Sequence, residues 1–228
     1  MKLSSTATRD VARASAGLVL VALLGACSSL LGGGAGDRDR STIYAPDPRV
    51  QTVAQWPHAD WQLTLSPPTA ARMIDSFRIA VRPTPSELQV YRSASWAKTP
   101  TDMLQDVVLR TLEDSGRIPA VARQGAGITA DYKLVIDLRR FEADYAGNVM
   151  PSATIEANAK LIHNIDQTVV GSRTFLAAIP ASGTEVAQVV DAFGTALQSI
   201  GGEMVGWILT SGNAHEASHH NGAVAPPR

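Results

Sequence analysis

Three stretches of period-two alternation and one long stretch of helical period constrain this chain more than anything else in it. Tyr132, Leu134, Ile136 and Leu138 share a face opposite Lys133, Asp137 and Arg139. Ile155, Ala157, Ala159 and Leu161 share a face opposite Thr154, Glu156, Asn158 and Lys160. Thr168 to Ile179 reads as a third strand, joined to the second by the polar turn Asn164-Ile165-Asp166-Gln167. Alternation of this length belongs to a sheet buried on one side and wet on the other. Val186, Val190, Phe193, Leu197, Ile200, Met204 and Ile208 then recur at steps of four and three. They predict an amphipathic helix from Thr184 to Leu209, with Thr184 as its cap and Glu185 in its first turn. Gly194, Gly201, Gly202 and Gly206 each weaken that helix by about 1 kcal/mol relative to alanine. Close packing on the sheet is the expected reason for them.

Upstream elements are shorter. Trp61–Ser66, Phe77–Arg82 and Leu88–Arg92 alternate and read as strands, punctuated by Pro67-Pro68 and by Pro83 and Pro85. Thr99 to Ser115 reads as a helix. Thr99 suits the cap, Pro100 and Asp102 the first turn, and Gly116 the C-terminal stop. Ile118 to Val121 adds a short strand. The expected fold is α+β: a mainly antiparallel sheet of six to seven strands with two helices on one face. It occupies residues 61–210.

The amino end carries its own signature. Lys2, Arg9 and Arg13 precede the uncharged apolar run Ala16 to Leu24. That run is too short to span a bilayer, for which about 20 residues are needed, but suits an export signal. Leu24-Gly25-Ala26-Cys27 resembles the lipobox of bacterial lipoproteins, in which the cysteine thiol is acylated and becomes the first mature residue. Cys27 is the single cysteine of the 228 residues, which excludes an intrachain disulfide framework or a multi-cysteine metal site. Residues 1–26 are therefore expected to be a signal peptide and residues 27–60 a lipidated, flexible tether, rich in glycine and interrupted by Pro46, Pro48 and Pro57. Ser28 after the cysteine points to the outer membrane under enterobacteria-like sorting. Cleavage leaves 17 basic against 20 acidic residues. With 5% aromatic residues as well, nothing favours nucleic acid.

Residues 211–228 read as a disordered tail. They contain His215-Glu216-Ala217-Ser218-His219, the H-E-x-x-H pattern of zinc peptidases. That chemistry needs a rigid helix and a third ligand, and a disordered tail supplies neither. His58 and His163 read as ordinary polar residues, and Asp131, Asp137, Glu142 and Asp144 as a charged, solvated face. No Gly-x-Ser-x-Gly elbow, phosphate loop or dinucleotide fingerprint is present. No enzyme, cofactor, catalytic residue or metal site is expected. Tyr91, Arg92 and Trp96 put aromatics and a cation just before the first helix. They are expected either to form a partner-binding surface or, in the case of Trp96, to staple the helix start to the core.

Several of these segments together resemble one family. They are the lipobox, Phe77-Arg78-Ile79-Ala80-Val81, Leu88 to Arg92, Ser95-Trp96-Ala97-Lys98 with Met103-Leu104, Tyr132 to Phe141, and Glu203-Met204-Val205-Gly206-Trp207-Ile208. The family is that of the ABC-type transport auxiliary lipoproteins, the lipoprotein component of Pqi-type MCE lipid transport systems. The resemblance implies a non-catalytic outer-membrane lipoprotein with its domain facing the periplasm. It implies a periplasmic MCE protein as partner, an inner-membrane ABC permease and ATPase acting through it, lipid as cargo, and room for homo-oligomers. The long approach to Trp61 and the histidine-containing tail depart from the family's pattern. A pilotin-like assembly lipoprotein is the alternative.

Overall fold

The computed structural model describes residues 41–222, with side chains through Ser218. Residues 1–40, Cys27 among them, lie outside the described residues, as do the last six. The long strands form where the alternation placed them. β7 is Tyr132–Asp144, β8 Ser152–His163 and β9 Val169–Pro180, all antiparallel neighbours. The even-numbered face from Tyr132 to Leu138 is at most 1% exposed, and Ile155, Ala157, Ala159 and Leu161 are completely buried opposite it. β7 changes parity at a bulge between Leu138 and Arg140, so that Phe141 and Ala143 enter the core instead.

The other edge of β7 departs from expectation. Three short strands line it in succession, all parallel to it. They are β2 (Leu63–Leu65) at Tyr132–Leu134, β3 (Thr69–Ala70) at Asp137–Leu138, and β4 (Arg78–Arg82) at Ala143–Asp144. β4 pairs antiparallel with β5 (Gln89–Trp96), which pairs in parallel with β1 (Thr42–Tyr44). β2 pairs in parallel with β6 (Val121–Arg123). The sheet therefore has nine strands and is mixed rather than mainly antiparallel with six or seven. β1 and β3, of three and two residues, carry too little alternation to be counted, and pairing direction is set by the crossovers rather than by side chains.

Two helices pack on one sheet face. α1 (Pro100–Ser115) begins at Thr99, whose Oγ1 accepts from the Asp102 amide, and stops at Gly116 in the left-handed conformation, φ 61°. α2 runs from Val186 to Gly222. Val190, Phe193, Leu197, Ile200, Met204 and Ile208 are buried as the period predicts, and so are Val189, Ala192, Ala196, Val205 and Leu209. The stripe is wider than one contact face because α2 packs on the sheet, on α1, and on the segment before β2.

That segment is the principal correction at the amino end. Residues 42–60 are not a free tether but an arm laid across the domain. The Ala97 amide donates to the Tyr44 carbonyl, and Gln198 donates to the Arg49 carbonyl. Asp47 takes an ion pair from Arg110, and Trp56 is buried. Prolines at 46, 48 and 57 exclude helix but not docking. Composition reports the first and is silent on the second.

The glycines of α2 are a second correction. A Cβ on Gly201 would come 2.5 Å from Val107 of α1, and one on Gly206 would come 2.8 Å from Trp56 of the arm. They admit the neighbouring helix and the arm, not the sheet, while Gly194 faces open space.

Candidate functional site

Three places concentrate chemistry-bearing side chains. The first surrounds β5. Arg78 pairs with Ser95 but Ala80 pairs with Val90, so most of Tyr91–Ala94 bulges out of the ladder, with Ser93 at φ 52°. A non-glycine residue there is uncommon and holds the bulge in a defined shape. The bulge walls a surface cleft of about 410 Å³ together with Ser41, Phe77 and Arg78. Phe77 is 57% exposed, Arg92 is exposed, and Ile43 on the adjoining strand β1 is 68% exposed. Tyr91 is half-buried against the core. Burial, with the Tyr145 hydroxyl beside it, pushes its phenol above the ordinary range. The result is an apolar and cationic patch on an edge of the sheet.

Trp96 does not belong to that patch. It is 2% exposed and meets Phe141 and Phe193 edge-on at 5.8 and 5.3 Å, while those two rings stack at 4.8 Å. Of the two expectations for Trp96, the core staple is the one the packing realises. Its indole N–H has no hydrogen-bond partner among the described residues. Phe77 was legible only as a strand residue, since period two cannot tell an exposed edge position from a buried one.

The second place is the far end of β7. Glu142 is completely buried, not solvated as its strand position suggested. Arg82 Nε and Nη2 donate to its two oxygens at 2.7 and 3.0 Å, and Arg140 Nε donates at 2.7 Å. Arg140 also reaches Asp144 at 2.5 Å. The Glu142 hydrogen bonds raise the Arg82 guanidinium further above its ordinary value. Burial works against the charge on Arg140, and the bonds to Asp144 and Glu142 outweigh it. A buried carboxylate between two guanidiniums ties β4 to β7 and explains itself structurally.

The third place is where α2 passes the start of β7, and it corrects the disordered tail. Trp61 Nε1 donates to Asn213 Oδ1 at 2.8 Å, and Asn213 Nδ2 donates to the His58 carbonyl at 2.7 Å. Tyr132 Oη donates to Glu216 Oε1 at 2.5 Å and lies 2.7 Å from His215 Nδ1. Burial first, and then the Glu216 carboxylate, push the Tyr132 phenol well up, so it keeps its proton. His163, at the end of β8, holds Asp166 Oδ1 through Nδ1 at 2.9 Å, and its ring centre is 4.9 Å from that of His215. Hydrogen bonds from the Thr168 amide and hydroxyl, and then from His163, hold the Asp166 carboxyl far below its usual range. His58, Asp60, Trp61, Asp131, Asn213 and Glu216 line an open cleft beside this cluster. The sequence flagged the histidines, but a separation of 52 residues between His163 and His215 hid their meeting.

Among the described residues, no helix is long and apolar enough to cross a membrane. A cleft of about 230 Å³ between the arm and the helices is smaller than the roughly 300–1,000 Å³ of small-molecule pockets.

A family model described as the ABC-type transport auxiliary lipoprotein component matches residues 42–205, from β1 well into α2. The chain belongs to this family. The match begins at the strand that opens the arm, which agrees with the arm being part of the domain. Among solved structures, protein XCC0632 from Xanthomonas campestris is 56% identical. It covers 77% of this chain and 99% of its own, with a TM-score of 0.75. An uncharacterized protein shares the fold at 12% identity and a TM-score of 0.53, covering 69% of this chain and 97% of its own. No curated protein matches. Family membership makes the chain an auxiliary component of ABC-type transport and a lipoprotein of the cell envelope.

Proposed function

We propose that this auxiliary lipoprotein is a non-catalytic adaptor. It is acylated at Cys27, held at the outer membrane, and docks a periplasmic MCE protein whose permease and ATPase move lipid between the membranes. The observation that carries this reading is the family match across the whole domain core. The chemistry is consistent with it. The buried carboxylate is neutralised by arginines, the β5 surface offers contact groups rather than a nucleophile, and energy has to come from the partner's ATPase. Multiple acyl chains, at about 0.8 kcal/mol per buried CH₂, make a lasting anchor. Because the domain begins at the arm, only residues 28–40 separate it from Cys27.

In this reading the partner docks on the β5 bulge, where Phe77 and Ile43 supply apolar area and Arg78 and Arg92 supply positive charge. Tyr91 is the one aromatic of the original trio positioned to contribute there. The test is co-purification of the full-length lipoprotein with its MCE partner in mild detergent, alongside the intact mass of the mature protein. A triacylated Cys27 and a retained partner are expected. An unacylated start, or a partner lost at the mildest detergent concentration, contradicts the proposal.

A further inference from the structure

The two ends of the β7–β9 sheet differ in a way that docking at β5 does not use. At one end, residues 145–151 join β7 to β8 without a single charged side chain. The turn is held in shape. Ala146 and Gly147 both lie in the left-handed region, at φ 47° and 79°, and the Asn148 amide donates to the Tyr145 carbonyl at 2.7 Å. Positive φ at both central positions is the geometry of a tight hairpin turn. The Ala146 amide donates to Asp144 Oδ1, and the Pro151 carbonyl accepts from the Ala181 amide, so both stems are fixed. Residues 146–150 are all exposed, Val149 at 84% and Met150 at 39%.

The charges at the base of this hairpin cancel. Glu142 lies between Arg82 and Arg140, and Asp144 is paired with Arg140 as well, so two carboxylates face two guanidiniums. A single exposed hydrophobic side chain is ordinary on a protein surface. Two adjacent ones at the apex of a fixed, uncharged hairpin, with half-buried Tyr145 at its stem, match what enters the headgroup layer of a bilayer. The opposite end of the sheet is the internal contrast. Ile165 in the β8–β9 turn is 83% exposed, but beside it Asp166 is held as a carboxylate by Thr168 and His163. The two turns are separated by the 12 residues of β8, about 40 Å at 3.3 Å per residue.

The chain enters the domain from the Val149 end. β4 runs parallel to β7 and brings Arg82 level with Asp144, β5 runs back antiparallel to β4, and β1 is parallel to β5. Ser41, the residue before β1, therefore comes in from the end of the sheet that carries the hairpin apex. We propose that residues 145–150 are a membrane-contact site, at which Val149 and Met150 dip into the lipid surface that holds Cys27. This rests on the acyl anchor of the proposed function and adds a second point of contact that fixes the domain's orientation. β8 then stands away from the bilayer, the Ile165 turn faces the periplasm, and the β5 edge stays open to the partner. Because the charges at the hairpin base cancel, the contact does not depend on anionic lipid.

The test places a benzophenone photo-crosslinking residue at Val149 or at Ile165 of the full-length protein, reconstituted in vesicles of phosphatidylcholine and phosphatidylethanolamine. After illumination, phospholipid adducts counted by mass spectrometry should be at least about fivefold more frequent at Val149 than at Ile165. Met150→Asp should cut the Val149 adduct at least about threefold, since a carboxylate resists entry into lipid. Its melting temperature should not change, because that side chain is exposed. Should Met150→Asp melt early, the Val149 and Ile165 pair decides. Intact mass reports acylation separately. An unacylated chain would remove the anchor of the proposed function. The pair is then read on the mature chain with Cys27→Ser and an amino-terminal histidine tag held by nickel-chelating lipid. An excess of adducts at Val149 supports the hairpin contact in either format. Equal adducts at the two positions, adducts at Ile165 alone, or none at either would overturn it.

Discussion

The β7–β9 hairpins and the seam between the arm and the end of α2 are both built into one domain, but by different means. The hairpins bury a continuous apolar face, in which any one residue is supported by many others. The seam relies on single fittings: Trp56 over Gly206, Trp61 over Gly212, and Asn213 bridging Trp61 and His58. The difference teaches how each region tolerates change. A periodic core loses stability in proportion to the volume removed. A seam of single fittings fails when one small residue becomes larger.

The largest expected effect lies in the core. Trp96→Ala should destabilise the domain by about 3–5 kcal/mol in chemical denaturation, because it empties the space between Phe141 and Phe193. A fully stable Trp96→Ala protein that merely lost its partner would restore the interface reading of this residue. Glu142→Gln comes next. It leaves Arg82 and Arg140 facing a neutral buried group, and a loss of about 3 kcal/mol in the same assay is expected.

Gly212→Ala sharpens the comparison by sign. Helix propensity alone predicts a gain of about 1 kcal/mol. A Cβ there would come 2.2 Å from the Trp61 ring, so overpacking should instead cost about 1–3 kcal/mol. Gly194→Ala, which meets nothing within 4 Å, is the control and should stabilise. Two alanines acting in opposite directions on thermal melting would establish the seam; two that both stabilise would break it.

The smallest effect is a pH dependence of the arm. The Arg110 hydrogen bond, with Arg49 nearby, holds the Asp47 carboxyl below its ordinary 3.8. A carboxyl lowered on folding stabilises the native state above that value and loses the contribution as pH falls through the lowered one. Asp47 is largely exposed, so the effect is small. Amide exchange at Ala97, which donates to Tyr44 of the arm, should accelerate below pH 4 and should not do so in Arg110→Ala.

The same contrast explains what was legible. Tyr132 to Leu138, Ile155 to Leu161 and Val186 to Ile208 report their structure locally, through period. Thr99 and Gly116 report the ends of α1 through capping chemistry. β1 and β3 exist only because a partner strand receives them, and no local pattern in Thr42–Tyr44 announces β5. Arg139 and Arg140 break the alternation of β7. The bulge they mark is what carries Phe141 inward and leaves Glu142 between two arginines. The site was legible in pieces: the β5 segment was found but Trp96 had two readings, and the H-E-x-x-H motif was found but seemed unsupported. Polar composition after Thr210 hides a helix because its stability comes from Trp61 and Tyr132, which lie at least 78 residues away in the chain.

In the proposed function, this lipoprotein works by presenting the β5 surface to a periplasmic MCE protein. A photo-crosslinking residue at Phe77 tests it most directly, with one at Val149, which is 84% exposed, as the comparison. In intact cells the Phe77 probe should capture the MCE protein, the Val149 probe should not, and Arg92→Glu should reduce the capture. Capture at Val149 with none at Phe77, or none at either position while the two proteins co-purify, would contradict it.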